Sequence, residues 1–122
     1  MQPSPETHRA VFTANIDNFE EKVIQASHRT PVLVDLWAEW CAPCRVLTPI
    51  LQQLIDEYEE DLLLATVEVD EGDGENMKLA GRYQVRGFPT VILFIDGEEK
   101  ARFSGAKPIS FLQQFVDENI NS

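Results

Sequence analysis

The chain has few of the residues that most often build reactive or ligand-holding sites. Its 122 residues include two cysteines and two histidines. A structural zinc site takes four ligands, and neither His8 nor His28 stands at ligand spacing from the cysteines. No metal is expected. No glycine pattern of the dinucleotide-binding kind is present, so no resident cofactor is expected either. Cationic residues are scarce: 10 Lys and Arg stand against 21 Asp and Glu, a net charge of −11. A chain so negative is repelled by nucleic acid and by anionic membrane surfaces, which argues against both as partners. No apolar run is long enough to span a bilayer. The first ten residues, Met1 to Ala10, are polar with two prolines. They lack the basic start and apolar centre of a secretory signal. A cytoplasmic protein is expected, in a compartment that keeps thiols reduced.

What is there centres on Trp37-Ala38-Glu39-Trp40-Cys41-Ala42-Pro43-Cys44-Arg45, which holds both cysteines. Ahead of it runs Val32-Leu33-Val34-Asp35-Leu36-Trp37, nearly all apolar, as in a parallel strand buried on both faces. Behind it, Val46, Leu47, Ile50, Leu51, Leu54 and Ile55 repeat at helical spacing. A Cys-x-x-Cys pair between strand and helix marks a dithiol redox site. Unpaired N–H groups and the dipole at a helix start favour negative charge. A cysteine there ionises more readily than a free thiol, whose pKa is about 8.5. Placement alone therefore makes Cys41 the reactive thiolate, with Cys44 one turn on. Pro43 sits just inside the helix start, where its missing N–H costs nothing.

The rest of the chain alternates strands and helices. Residues 1–9 read as a loose arm and 10–122 as one domain, of a size to close a single core. Val11 and Phe12 begin a short strand. Asn15 or Asp17 caps a first helix, with Asp17 and Glu20 as a capping box, and Phe19, Val23 and Ala26 on its inner side. Pro31 ends it. The helix from about Cys41 to Tyr58 contains Pro49, which removes one donor and is expected to kink it. Leu62 to Val69 is a buried strand, followed by a solvated acidic loop, Asp70 to Glu75, and a short helix around Asn76 to Tyr83. Val91 to Ile95 is a third strong strand. Asp96-Gly97 signals a hairpin with Lys100 to Phe103. Gly105 and Pro108 introduce a last helix with Phe111, Leu112, Phe115 and Val116 inward. The order predicts an α/β fold, a mixed β-sheet with helices on both faces.

Asp35 interrupts its apolar strand. Either it reaches water at a strand edge, or it is a buried acid of raised pKa beneath the dithiol. Pro89, read alone, is a strand-start proline.

From about Val11 to Asn119 the chain resembles the thioredoxin family, on Trp40-Cys41-Ala42-Pro43-Cys44, Asp35 and Phe88-Pro89-Thr90. The resemblance implies the thioredoxin fold and a thiol–disulfide oxidoreductase that reduces protein disulfides. Cys41 would attack, Cys44 would resolve the mixed disulfide, and Asp35 would act as general acid/base for Cys44. It implies a cis bond before Pro89, in a loop facing the dithiol that takes an extended substrate peptide. Trp40, Ala42, Pro43, Phe88 and Gly105-Ala106 would form a shallow apolar rim for substrate. Trp37 packs against the site, and Gly87 and Gly105 serve backbone geometry or close approach. The implied partners are disulfide-containing proteins and an NADPH-dependent flavoprotein, thioredoxin reductase, with the chain acting as a monomer. Two departures stand out. Ala42 replaces the usual glycine between the cysteines, which leaves the redox potential open. Thr66 stands where many relatives carry a lysine near the buried acid, so Asp35 is expected to be harder to ionise here.

Cys-Ala-Pro-Cys and Gly105-Ala106-Lys107-Pro108 are also similar to the thioredoxin-like domain of larger bacterial co-chaperones, which continues into helical repeats. That likeness gives a second reading, a holdase binding module with secondary redox activity. A third is a dedicated oxidant or reductant for one partner.

Overall fold

The structure, a computed structural model, describes residues 10–121; the arm expected over residues 1–9 lies outside them. Strands β1 (Val11–Thr13), β2 (Val32–Trp37), β3 (Leu63–Glu68), β4 (Thr90–Ile95) and β5 (Glu98–Ser104) form one sheet in the order β1-β3-β2-β4-β5. β3 runs parallel to β1 and β2, while β4 runs antiparallel to β2 and β5. The sheet is therefore mixed, as expected.

Side-chain alternation along the strands builds two cores. Val32, Val34 and Leu36 of β2 join Phe19, Val23, Val67, Leu79 and Phe94 on one face. Leu33 joins Leu47, Leu51, Leu54, Leu64, Leu93, Leu112 and Val116 on the other. The second face is covered by the long helix α1 (Ala42–Tyr58) and by α3 (Ile109–Ile120). The first is covered by the helical segment before β2 and by the short α2 (Met77–Arg82). Asp35, two residues on from Leu33, belongs by alternation to the α1 face.

The α1 stripe is the one the spacing predicts, with Leu47, Leu51, Leu54 and Ile55 buried. Full burial of each such side chain stabilises by about 1.5–3 kcal/mol, so this stripe fixes the helix, and with it the cysteines, on the sheet. The helix runs unbroken through Pro49, whose ring is exposed. At its far end the Tyr58 hydroxyl donates to Asp117 of α3 at 2.6 Å.

Three local expectations are corrected. The Asp17–Glu20 capping box does not form. Asn15 Oδ1 instead accepts the N–H groups of Asp17 and Asn18 at 2.9 and 3.0 Å, and Asn18 Oδ1 accepts the Asn15 N–H at 2.8 Å. The segment that follows is π-helical over Glu20–Gln25 and closes with a 3₁₀ turn over Ala26–His28. Its wider turn puts Phe19, Val23 and Ser27 inside, and Ala26 only partly so. Finally, α3 buries Leu112 and Val116, whereas Phe111 is 38% exposed at the margin. There it stacks on Phe115 and meets the edge of Phe103, with the Lys107 ammonium over its ring.

The Asp96-Gly97 hairpin forms as predicted, with positive φ at both residues (54° and 82°), the geometry of a type I′ turn. Ser27 holds this turn: its Oγ accepts the Gly97 N–H at 2.8 Å and its carbonyl accepts the Asp96 N–H at 2.9 Å. A Cβ at position 97 would come within 2.7 Å of His28 Nε2, so glycine is required there twice over.

Candidate active site

β2 ends at Trp37, and the chain turns through Ala38 to Trp40 before α1 begins. Cys41 is the N-cap residue of α1, with extended backbone (φ −98°, ψ 105°). The Cys44 N–H, a first-turn donor that also reaches the Cys41 carbonyl at 3.1 Å, points at Cys41 Sγ from 3.3 Å. A sulfur thus takes the place that an N-cap oxygen usually occupies. The same contact, with the helix dipole, stabilises negative charge on that sulfur once it is reduced.

The two cysteines form a disulfide, with their Cα atoms 5.3 Å apart. Ala42 and Pro43 occupy the first two helical positions, both exposed. Cys44 is fully buried, whereas Cys41 keeps a narrow opening, 6% exposed. Of the pair, only the Cys41 residue keeps any exposure.

The Phe88–Pro89 bond is cis. The Phe88 carbonyl oxygen lies 3.4 Å from Cys41 Sγ, close enough to accept a hydrogen bond from the reduced thiol. Pro89 is buried, and its carbonyl accepts the Gly105 N–H at 2.9 Å. Gly105 has φ 90°, a conformation that favours glycine. For Gly87, of the two roles expected, the structure bears on backbone geometry alone. Its φ is not positive and nothing crowds its Cβ position, so its backbone does not demand glycine. Its carbonyl accepts the Thr90 hydroxyl at 2.6 Å.

Trp40 is 66% exposed and meets Phe88 edge-on, with centroids 6.0 Å apart. Trp37 is partly buried against the core. The structure thus gathers Trp40, Cys41, Ala42, Pro43, Cys44, Phe88, Pro89 and Gly105 at one end of the sheet. Pro49 lies further along α1, away from the opening.

Asp35 is fully buried. Thr48 Oγ1 donates to its Oδ2 at 2.8 Å, and Oδ1 has no hydrogen-bond partner among the described residues. Burial raises its pKa from 3.8 to about 6, with the Thr48 hydroxyl pulling the other way. Of the two readings open from the sequence, the buried acid is the one observed. Thr66 is its ladder neighbour on β3, and the Thr66 hydroxyl turns to the Phe12 carbonyl at 3.5 Å rather than to the acid.

Two contributors were not singled out from the sequence. Asp70 opens the acidic loop, expected to be merely solvated, yet it accepts the hydrogen bond of the Trp40 indole. Glu68 beside it is raised in pKa by partial burial and by Glu39, Glu71 and Asp70, so this flank of the opening is acidic. Thr48 is the other. Its signal was its position, one helical turn after Cys44 on the side facing β2. Among the described residues, no three His, Cys, Asp or Glu side chains converge to hold a metal ion.

The family model described as thioredoxin matches residues 10–118. Thioredoxin from Acidithiobacillus ferridurans is 39% identical over 111 residues, covering 91% of this chain and 97% of that protein. Thioredoxin C-2 from Corynebacterium nephridii is 40% identical over 104 residues, 85% and 91% of the two chains. Thioredoxin from Pseudomonas aeruginosa is 41% identical over 103 residues, 84% and 90%. A Cys-x-x-Cys disulfide at a helix start, with this match along nearly the whole chain, identifies a redox enzyme: the chain belongs to the thioredoxin family.

Proposed function

We propose that the protein reduces disulfides in other proteins through Cys41 and Cys44. The observation that carries this reading is the unequal setting of the two cysteines, Cys41 the slightly exposed N-cap of α1 and Cys44 fully buried in its first turn. The Cys41 thiolate attacks one sulfur of a substrate disulfide. A Cys41–substrate bond forms as the substrate S–S bond breaks, and the released thiolate takes a proton. Asp35 removes the proton of Cys44. Cys44 then attacks Cys41 Sγ, the Cys41–Cys44 bond closes, and the second substrate thiolate leaves. The substrate gains two electrons and the dithiol loses them, ending in the oxidised form described above. An NADPH-dependent flavoprotein reductase would return the electrons.

Trp40, Ala42, Pro43, Phe88, Pro89 and Gly105 form the receiving surface, and Trp37 supports it from behind. A shallow, mostly apolar rim suits varied extended polypeptides rather than one small molecule. The acidic flank disfavours anionic partners. A resting reductant needs a reducing compartment, which supports a cytoplasmic setting. Among the described residues no helix is long and apolar enough to cross a membrane. The relatives named above are thioredoxins matched over at least 90% of their own lengths, which favours the catalytic reading over the holdase one.

The test is insulin reduction with thioredoxin reductase and NADPH. The parent should turn over, and Cys41→Ser should lose at least about a thousandfold, as expected on removing a nucleophile. A protein that instead suppresses aggregation with both cysteines replaced, and reduces nothing with them present, is a holdase.

A further inference from the structure

Asp35 Oδ1 is the one buried side-chain nitrogen or oxygen without a hydrogen-bond partner among the described residues. Among the described residues, the one side chain bonded to this carboxyl group is Thr48. Thr48 Oγ1 lies 2.8 Å from Asp35 Oδ2 and 3.1 Å from the Cys44 carbonyl oxygen. A threonine hydroxyl has one proton to donate, so it cannot serve both acceptors at once. An ionised carboxylate is the stronger acceptor, so the proton turns to Asp35 when that group is charged. When Asp35 is neutral the preference weakens, and the Cys44 carbonyl competes. The hydroxyl therefore favours the charged form of the acid. It also ties one carboxyl oxygen to the helical turn that carries Cys44, and leaves the other open.

Among the described residues no charged group does this work from elsewhere. The ladder neighbours of Asp35 are Thr66 on β3 and Val91 on β4, both uncharged. Arg45, next along α1, is exposed. The titratable groups on the same end of α1 are the two cysteines, which titrate only when reduced.

We propose that Thr48 is a positioning residue for the dithiol chemistry, clamping Oδ2 of Asp35 so that Oδ1 is the oxygen that exchanges a proton with Cys44. This rests on the reading of Asp35 as the base for Cys44. In the resolving step Thr48 holds Oδ2 of the charged acid as the Cys44 proton passes to Oδ1; the hydroxyl's hold on the acid weakens once Asp35 is neutral. The new sulfur–sulfur bond forms and the substrate thiolate departs, as described above.

The test follows the Asp35 carboxyl carbon by NMR during a pH titration of the oxidised protein, in which no thiol titrates. Thr48→Val keeps the shape and removes the donor. Its Asp35 midpoint should rise by about one to two pH units. Thr48→Ser keeps the donor and should titrate like the parent. In the reduced protein, the pH profile of insulin reduction should move with the NMR midpoint in Thr48→Val, with KM unchanged. Thr48→Ala, read in the same way, serves should the valine variant not fold. A midpoint unmoved in the variants lacking the hydroxyl, or moved as far by serine as by valine, overturns the proposal. Asp35→Asn separates the two claims. If it reduces insulin with the parent's pH profile, the reading of Asp35 fails and Thr48 has nothing to position. If its profile changes while Thr48→Val titrates like the parent, Thr48 alone is excluded.

Discussion

Two of the buried polar side chains, Asn76 just before α2 and Asp35 on β2, are treated in opposite ways. Asn76, 4% exposed, stitches loops together: its Oδ1 accepts the Ile16 N–H at 2.9 Å and its Nδ2 donates to the Glu68 carbonyl at 3.0 Å. Asp35, fully buried under α1, has one hydrogen bond and one bare oxygen. A satisfied amide at a loop junction is a structural fastener. A half-satisfied carboxyl group beneath a dithiol costs stability and is held by the surrounding packing. On the proposed reading of Asp35, the difference separates a group that holds the fold from one that the fold holds for chemistry.

Replacing each in turn should break the symmetry of that comparison. The largest effect expected is on turnover: Asp35→Asn should slow insulin reduction on the order of a hundredfold, the lower range for loss of a general acid/base. Stability should move the other way. The folded pKa of Asp35 is raised from 3.8 to about 6, so between these values the folded state holds a proton that the unfolded state has lost. Stability then falls as pH rises through that window and is flat above it. Two units correspond to about 3 kcal/mol. Urea unfolding should therefore show the advantage of Asp35→Asn over the parent growing by about 3 kcal/mol from pH 3.5 to pH 7.5. An advantage independent of pH would mean that Asp35 ionises as freely folded as unfolded. Asn76→Ala is the smaller, opposite case. It strands a donor and an acceptor and should cost about 2 kcal/mol, with turnover per folded molecule unchanged. Lost turnover in a fully folded Asn76→Ala would remove the distinction.

Much of this was legible in the residues. The apolar runs Val32–Trp37 and Val91–Ile95 read as strands, and the structure puts β2 and β4 there with nearly every side chain buried. The spacing of Leu47, Leu51, Leu54 and Ile55 gave α1, and Asp96-Gly97 gave its hairpin through backbone preference alone. The cysteines declared their chemistry by spacing and by the helix behind them. Other features depended on partners distant in sequence. The first helical segment closes on Ser27, which holds the Asp96-Gly97 turn, 70 residues on for the Gly97 contact. Asp17-x-x-Glu20 matched a capping pattern, but the Asn15 side chain takes the Asp17 N–H that the box would have used. Phe111 fits an inward helical stripe, yet α3 rolls to bury Leu112 and Val116 and leaves Phe111 at the rim. Asp35 alone could have been an edge residue; its meaning came from Thr48, whose hydroxyl gives no pattern in one dimension. The cis bond at Pro89 followed from family resemblance and not from the proline itself.

The central claim is that the sulfur of Cys41 ionises easily because of where the helix begins. The direct measurement is the pH dependence of iodoacetamide alkylation of the reduced protein, with the modified residue identified by mass spectrometry. Modification confined to Cys41, with a midpoint clearly below the free-thiol value of about 8.5, is the predicted result. A midpoint at or above that value, or first modification at Cys44, would contradict it.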